Sequence, residues 1–285
     1  MPALQPSPDA VRATPPPVLG AALVWLMLSP GLASAQATDA SVDSQDPQEK
    51  GYALAARVDR SDAGFGSTRV SATMVLRNAA GQETSRQLTF RTLERGSEDV
   101  GDKSLVIFET PRDVAGTALL SHARILDPDD QWLYLPALKR VKRISSANKS
   151  GPFVGSEFAF EDFTSTELNK YSYRYVGEDE VDGLKVDVVE CTPRYENSGY
   201  TRLRCYYDQE VYQTRKLEFY DRKNSLLKTL ELTDYREYQG VWRAHRLHMV
   251  NHQTNKETDI MYEDYDFGVD YDDGDFVRGV LTRIR

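Results

Sequence analysis

The stretch "RVSATMVLRNAAGQETSRQLTFR", residues 69–91, decides the fold class. Val70, Ala72, Met74 and Leu76 alternate with Arg69, Ser71, Thr73 and Arg77, a period of two that puts apolar side chains on one face of a strand and polar ones on the other. The turn-forming run Asn78, Ala79, Ala80, Gly81 interrupts the alternation, and Leu88 and Phe90 then alternate with Gln87, Thr89 and Arg91 on the return. A β-hairpin with one apolar face results, and that face must be buried against something else.

The same rhythm predicts strands at 103–110, 117–125 and 131–135, and again at 171–176, 184–191, 201–207, 212–220, 226–233, 241–250 and 256–262. Turn signals at 182–183, 197–199, 221–224 and Gly240 separate the later ones. The run "LVIF", residues 105–108, is apolar throughout and predicts a strand covered on both faces. A meander of about ten strands has to curl, which creates a concave apolar face. Upstream, Asp46, Pro47 and Glu49 stand where an N-cap, a first-turn proline and a capping-box acid belong, so a helix is expected to about Arg60, with Leu54, Ala55 and Val58 on one face. The expected class is α+β, mainly β: a strongly curved antiparallel sheet with a helix or two across its hollow. The irregular segment 143–163 is a candidate lid.

Residues 18–28 form an apolar run too short to span a bilayer, and Ala33, Ser34 and Ala35 supply a small-x-small cleavage pattern, so residues 1–35 read as a secretory signal peptide. Residues 36–48 read as a flexible leader and 49–285 as one domain. Export and a formal net charge of −9 argue against a nucleic-acid partner. Export also favours oxidation, and Cys191 and Cys205 flank a turn that could bring them opposite each other as a disulfide.

No reactive constellation emerges. His245, His248 and His252 fall in an alternating strand pattern, where they read as exposed side chains on different faces rather than a metal set. "DYDDGDF", residues 270–276, lacks the spacing of a calcium loop and reads as a solvated acidic segment. Without a nucleophile elbow, phosphate loop or Cys-His pair, the expectation is no enzyme, no cofactor and no metal. Lys139, Arg140, Lys142, Arg143 and Lys149 interrupt an acidic chain with a basic block. Such a block is either a solvated surface or a docking patch for an anionic bilayer or acidic partner.

"WLYLPALKRVKRI" (132–144), "GPFVGSEFAFEDF" (151–163) and "LLKTLELTDYREYQGVWRAHRLHMVNHQTNKETDI" (226–260) resemble the LolA-like outer-membrane lipoprotein-sorting proteins, in particular the subgroup found with RND/MMPL-type exporters. The cysteine pair departs from that subgroup. The resemblance covers about residues 50–276 and implies an incomplete β-barrel closed by helices, with a cavity that shields a lipid or lipoprotein acyl chain during periplasmic transit towards an outer-membrane acceptor. Cavity candidates are Val106, Phe108, Leu119, Trp132, Tyr134, Phe153, Phe158 and Phe160, each equally able to serve as ordinary core. The competing reading is an accessory subunit that docks on an exporter's periplasmic domain and carries nothing.

Overall fold

The computed structural model describes residues 41–95, 100–125, 127–164 and 167–284. The expected export signal lies outside these residues, as does the first part of the expected leader. The decisive stretch is the hairpin of β1 (Ser67–Arg77) and β2 (Glu83–Leu93), with Val70 opposite Phe90 and Ala72 opposite Leu88. Eleven more strands follow: β3 (Val100–Thr110), β4 (Ala118–Arg124), β5 (Asp130–Leu135), β6 (Arg140–Ile144), β7 (Tyr171–Val181), β8 (Leu184–Pro193), β9 (Arg202–Asp208), β10 (Thr214–Tyr220), β11 (Leu226–Tyr238), β12 (Val241–Asn251) and β13 (Lys256–Phe267). All are antiparallel in one 13-stranded sheet of order β6-β5-β4-β3-β2-β1-β13-β12-β11-β10-β9-β8-β7.

Each strand pairs with its sequence neighbour, as a meander should. The one exception is the pairing of β1 with β13, which joins the two halves. Consequently the sheet's free edges are β6 and β7, consecutive strands from the middle of the chain. The curved sheet does not close into a barrel. Residues 145–170 connect one open edge to the other. Bulges between Glu263 and Asp266 in β13, opposite Arg69 and Ser71, and between Tyr175 and Gly177 in β7, help the bending.

The one α-helix among the described residues, α1 (Pro47–Asp62), starts where expected: Asp46 accepts a 2.7 Å hydrogen bond from the Gln48 N–H, and Pro47 occupies the first turn. Its inner side is built from small residues, Gly51, Ala53, Ala55 and Ala56, with Leu54. A Cβ on Gly51 would stand 2.7 Å from the Tyr175 backbone nitrogen, so glycine is what lets the helix rest directly on β7.

The convex face is covered locally too. Leu105 and Ile107 of β3 and Leu120 of β4 pack beneath Phe276 and Leu281 from the C-terminal segment, which explains why "LVIF" is apolar on both sides. That segment was expected to be solvated. Instead Arg95 and Lys103 pair with Asp273, and His122 Nε2–H donates 2.7 Å to the Phe276 carbonyl. Acidic residues and two buried apolar side chains together fasten the C-terminal segment over the outer face.

Candidate functional site

Residues 145–164 run along the hollow of the sheet, and their rings fill part of it. Phe153, fully buried, lies 4.3 Å from Phe163, 5.5 Å from Phe108 and 5.7 Å from Phe160, centroid to centroid. Phe163 reaches on to Phe90, which meets Tyr262 at 5.2 Å. Polar anchors hold the segment in place. The Glu157 N–H donates to Thr258 Oγ1 (3.0 Å), Asn251 Nδ2 donates to Glu157 Oε2 (2.7 Å), and the Tyr200 hydroxyl donates to Asp162 Oδ1 (2.8 Å). Lys228 Nζ donates to Asp162 Oδ2 over 2.6 Å and to the Glu157 carbonyl over 3.1 Å.

What the connector leaves open is a cleft of about 760 Å³ bounded by α1, the near side of the connector and the concave faces of most strands. Its apolar wall includes Val58, Val70, Phe90, Leu217, Leu230 and Tyr262. Burial pushes the hydroxyls of Tyr173, Tyr262 and Tyr265 up, so these wall tyrosines stay neutral at physiological pH. Carboxylates from different elements also line it: Asp59 and Asp62 from α1, Asp102 from β3, and Glu167 before β7. Burial raises Asp102 to about 7, against the backbone N–H of Arg95, which donates 2.8 Å to it. Burial raises Asp59 as well, with Glu167 and Asp62 adding repulsion. Asp62 rises for the same first reason, opposed by its partner Arg243.

Of the eight residues marked as cavity candidates, Val106 and Phe158 line the cleft. Phe108, Leu119 and Phe153 are fully buried in the packed part of the same core, and Phe160 stands half-buried against Phe153. Trp132 and Tyr134 lie on the convex side with the C-terminal segment, because strand alternation sends them away from Leu133. Aromatic character marks a side chain as apolar but carries no information about which face of the sheet it takes. The aliphatic wall from the C-terminal half, Leu217, Leu230, Leu232 and Leu247, went unmarked although its period-two pattern was in plain view. So did Lys228, whose parity with Leu230 turns a lysine towards the apolar face.

Lys139, Arg140, Lys142 and Arg143 are exposed, whereas Lys149 is buried, its ammonium donating to the Asp129 carbonyl and its pKa lowered by burial. Lys149 therefore belongs to the packing of the connector. Cys191 and Cys205 are both thiols and both line the cleft, with Sγ atoms 2.7 Å apart. They sit diagonally, not opposite: Cys205 pairs with Val189 and Cys191 with Leu203. His245 is buried rather than exposed, bonded to the Tyr238 hydroxyl and the Tyr262 carbonyl at 2.8 Å each. Among the described residues no three His, Cys, Asp or Glu side chains converge in a metal-binding set.

A curved, unclosed antiparallel sheet with one helix and a connector over an apolar hollow is the LolA-like fold. The chain belongs to the family of outer-membrane lipoprotein-sorting protein domains. It is 46% identical to such a domain from Vibrio parahaemolyticus, over 83% of this chain and 100% of that one, with a TM-score of 0.80. A DUF1329 family protein from Desulfovibrio piger is 27% identical over 83% of this chain and 99% of its own, with a TM-score of 0.77. A LolA superfamily protein from Nitrosomonas europaea shares the fold at 20% identity and a TM-score of 0.65, over 81% and 98% of the two chains. A family model described as "-like: Uncharacterized protein" matches residues 101–283. No curated protein matches the chain.

Proposed function

We propose that the protein is a periplasmic carrier that shelters an acyl chain of a lipid or lipoprotein in the cleft on its way towards the outer membrane. The observation that carries this reading is the cleft itself. At about 760 Å³ it falls within the roughly 300–1,000 Å³ typical of small-molecule sites, and apolar side chains from many strands face it. Each acyl methylene removed from water contributes about 0.8 kcal/mol, so burial alone can hold an acyl chain without a fixed hydrogen-bonding set. Release then requires the wall to move. The connector, joined to the sheet through side-chain hydrogen bonds and ring contacts rather than as one of its strands, is the element suited to do so. By its resemblance to the exporter-associated subgroup, the carrier receives its cargo from an RND/MMPL-type exporter in the inner membrane and passes it to an outer-membrane acceptor.

Mass spectrometry of lipid extracted from the purified protein tests the proposal, together with titration of the delipidated protein by a fluorescent fatty acid. Co-purified lipid and saturable binding are expected. A protein that is empty, does not bind the probe and yet co-purifies with an exporter would instead establish the accessory subunit.

A further inference from the structure

The turn between β5 and β6 carries an exposed leucine and a group of cations that lie outside the cleft. Pro136–Leu138 and Lys139, the latter in left-handed backbone at φ 48°, form the turn and leave Leu138 63% exposed. No other large hydrophobic among the described residues exceeds 43%. Around it stand Lys139, Arg140, Lys142 and Arg143, all exposed. Arg140 and Lys142 pair with Leu135 and Leu133, and Arg143 with Trp132, so the cations flank both faces of the hairpin. Only Arg143 has an ion-pair partner among the described residues, Asp130 at 2.6 Å.

Neighbouring elements do not cancel this charge. The loop between β3 and β4 contributes one of each sign, Arg112 and Asp113, and approaches the hairpin where Gly116 meets Pro136. The segment Arg278–Thr282, packed on β4 and β5, adds exposed Arg278, with exposed Arg283 following. A chain of net charge −9 thus concentrates unpaired positive charge at one corner of its sheet.

Lysines and arginines on an edge strand prevent sheets from pairing edge to edge, and β6 is such an edge. That role gives no reason to expose a leucine at the turn. A docked protein would be expected to bury a groove or a broad apolar area. A single apolar side chain at a convex turn, ringed by cations, has instead the chemistry of a bilayer interface: one side chain for the acyl boundary and positive charge for the phosphates.

We propose that the β5–β6 hairpin docks the protein on anionic phospholipid bilayers, Leu138 entering the interface while Lys139, Arg140, Lys142 and Arg143 meet the headgroups. This surface lies outside the cleft and stands whether or not the cleft carries lipid.

Co-sedimentation with vesicles of phosphatidylcholine alone, and of phosphatidylcholine and phosphatidylglycerol in equal parts, provides the test. Binding is expected to the second only, weakening as salt rises. Near an anionic surface each cation contributes roughly fivefold, so the triple variant Lys139→Gln, Arg140→Gln, Lys142→Gln should bind roughly 100-fold more weakly. Leu138→Ser, at an exposed position that leaves the fold intact, should lose at least about tenfold. The tryptophan of Leu138→Trp should be quenched by brominated acyl chains in the anionic vesicles. Equal binding to both vesicle types, full binding by Leu138→Ser, or absence of binding would overturn the proposal, the last leaving the hairpin to an acidic protein surface.

Discussion

Lys228 and Asp162 form an ion pair of 2.6 Å between β11 and the connector, with side chains only 3% and 7% exposed. A buried pair of this kind adds little net stability over an apolar substitute, but removing one partner strands a charge. Lys228→Met should therefore destabilise the protein by about 3–5 kcal/mol in chemical denaturation, and the double variant Lys228→Met, Asp162→Leu should recover much of that. The same single variant should free residues 151–164 first. Hydrogen exchange across the connector checks this, and unchanged protection there would show that the aromatic contacts suffice.

Gly51 makes a distinct prediction. Alanine is ordinarily the better helix former by roughly 0.5–1 kcal/mol, yet here its Cβ would meet the β7 backbone at 2.7–2.9 Å. Gly51→Ala should lower the melting temperature despite the gain in helix propensity, and Gly51→Val should detach α1 and open the cleft to a solvent-sensitive dye.

The pH dependence follows from Asp102. Its folded pKa of about 7 lies above the unfolded value, so the folded state binds more protons between about pH 4 and pH 7. Its contribution is present at the acid end of that window and is lost as pH rises through 7. Asp102→Asn can still accept the Arg95 N–H, and should flatten urea stability across this range and raise it at pH 8. A steeper dependence in the variant would refute the assignment.

Filling the cleft separates wall from core. Leu217→Trp adds volume to a wall position and should weaken a fluorescent acyl probe by roughly tenfold or more, with little effect on folding. Trp132→Phe, on the convex side, should leave probe affinity unchanged. Equal effects of the two would place the probe elsewhere.

The two thiols are neighbours on adjacent strands with side chains towards the cleft. Exposure to oxidised glutathione should join them. Thiol titration of the unfolded protein should fall to zero, and the oxidised form should resist urea better than Cys205→Ser. Two titratable thiols after oxidation would exclude the bridge.

Local pattern was enough to find most strands, the start of α1 and the concave apolar face, because side-chain alternation and capping depend on residues a few positions apart. Lys228, Trp132 and Leu138 show where local pattern stops. The inward lysine gained its meaning only from Asp162, 66 residues away. The tryptophan, sent to the convex side by alternation, is covered there because the C-terminal segment packs on that part of the sheet. The leucine, one more apolar residue in "WLYLPAL", stands bare in the β5–β6 turn, where no other element arrives to cover it.

The sequence by itself determined a curling, one-faced antiparallel β protein with a helix at its start and a basic block at its middle. Only the tertiary structure decided that β1 joins β13, that the chain's middle supplies both open edges, and that the connector between them divides the hollow into packed core and open cleft. The physical reason is that strand pairing and burial are settled by contacts between residues far apart in the chain. Periodicity assigns a side chain to a face, while the elements that arrive later determine what that face meets.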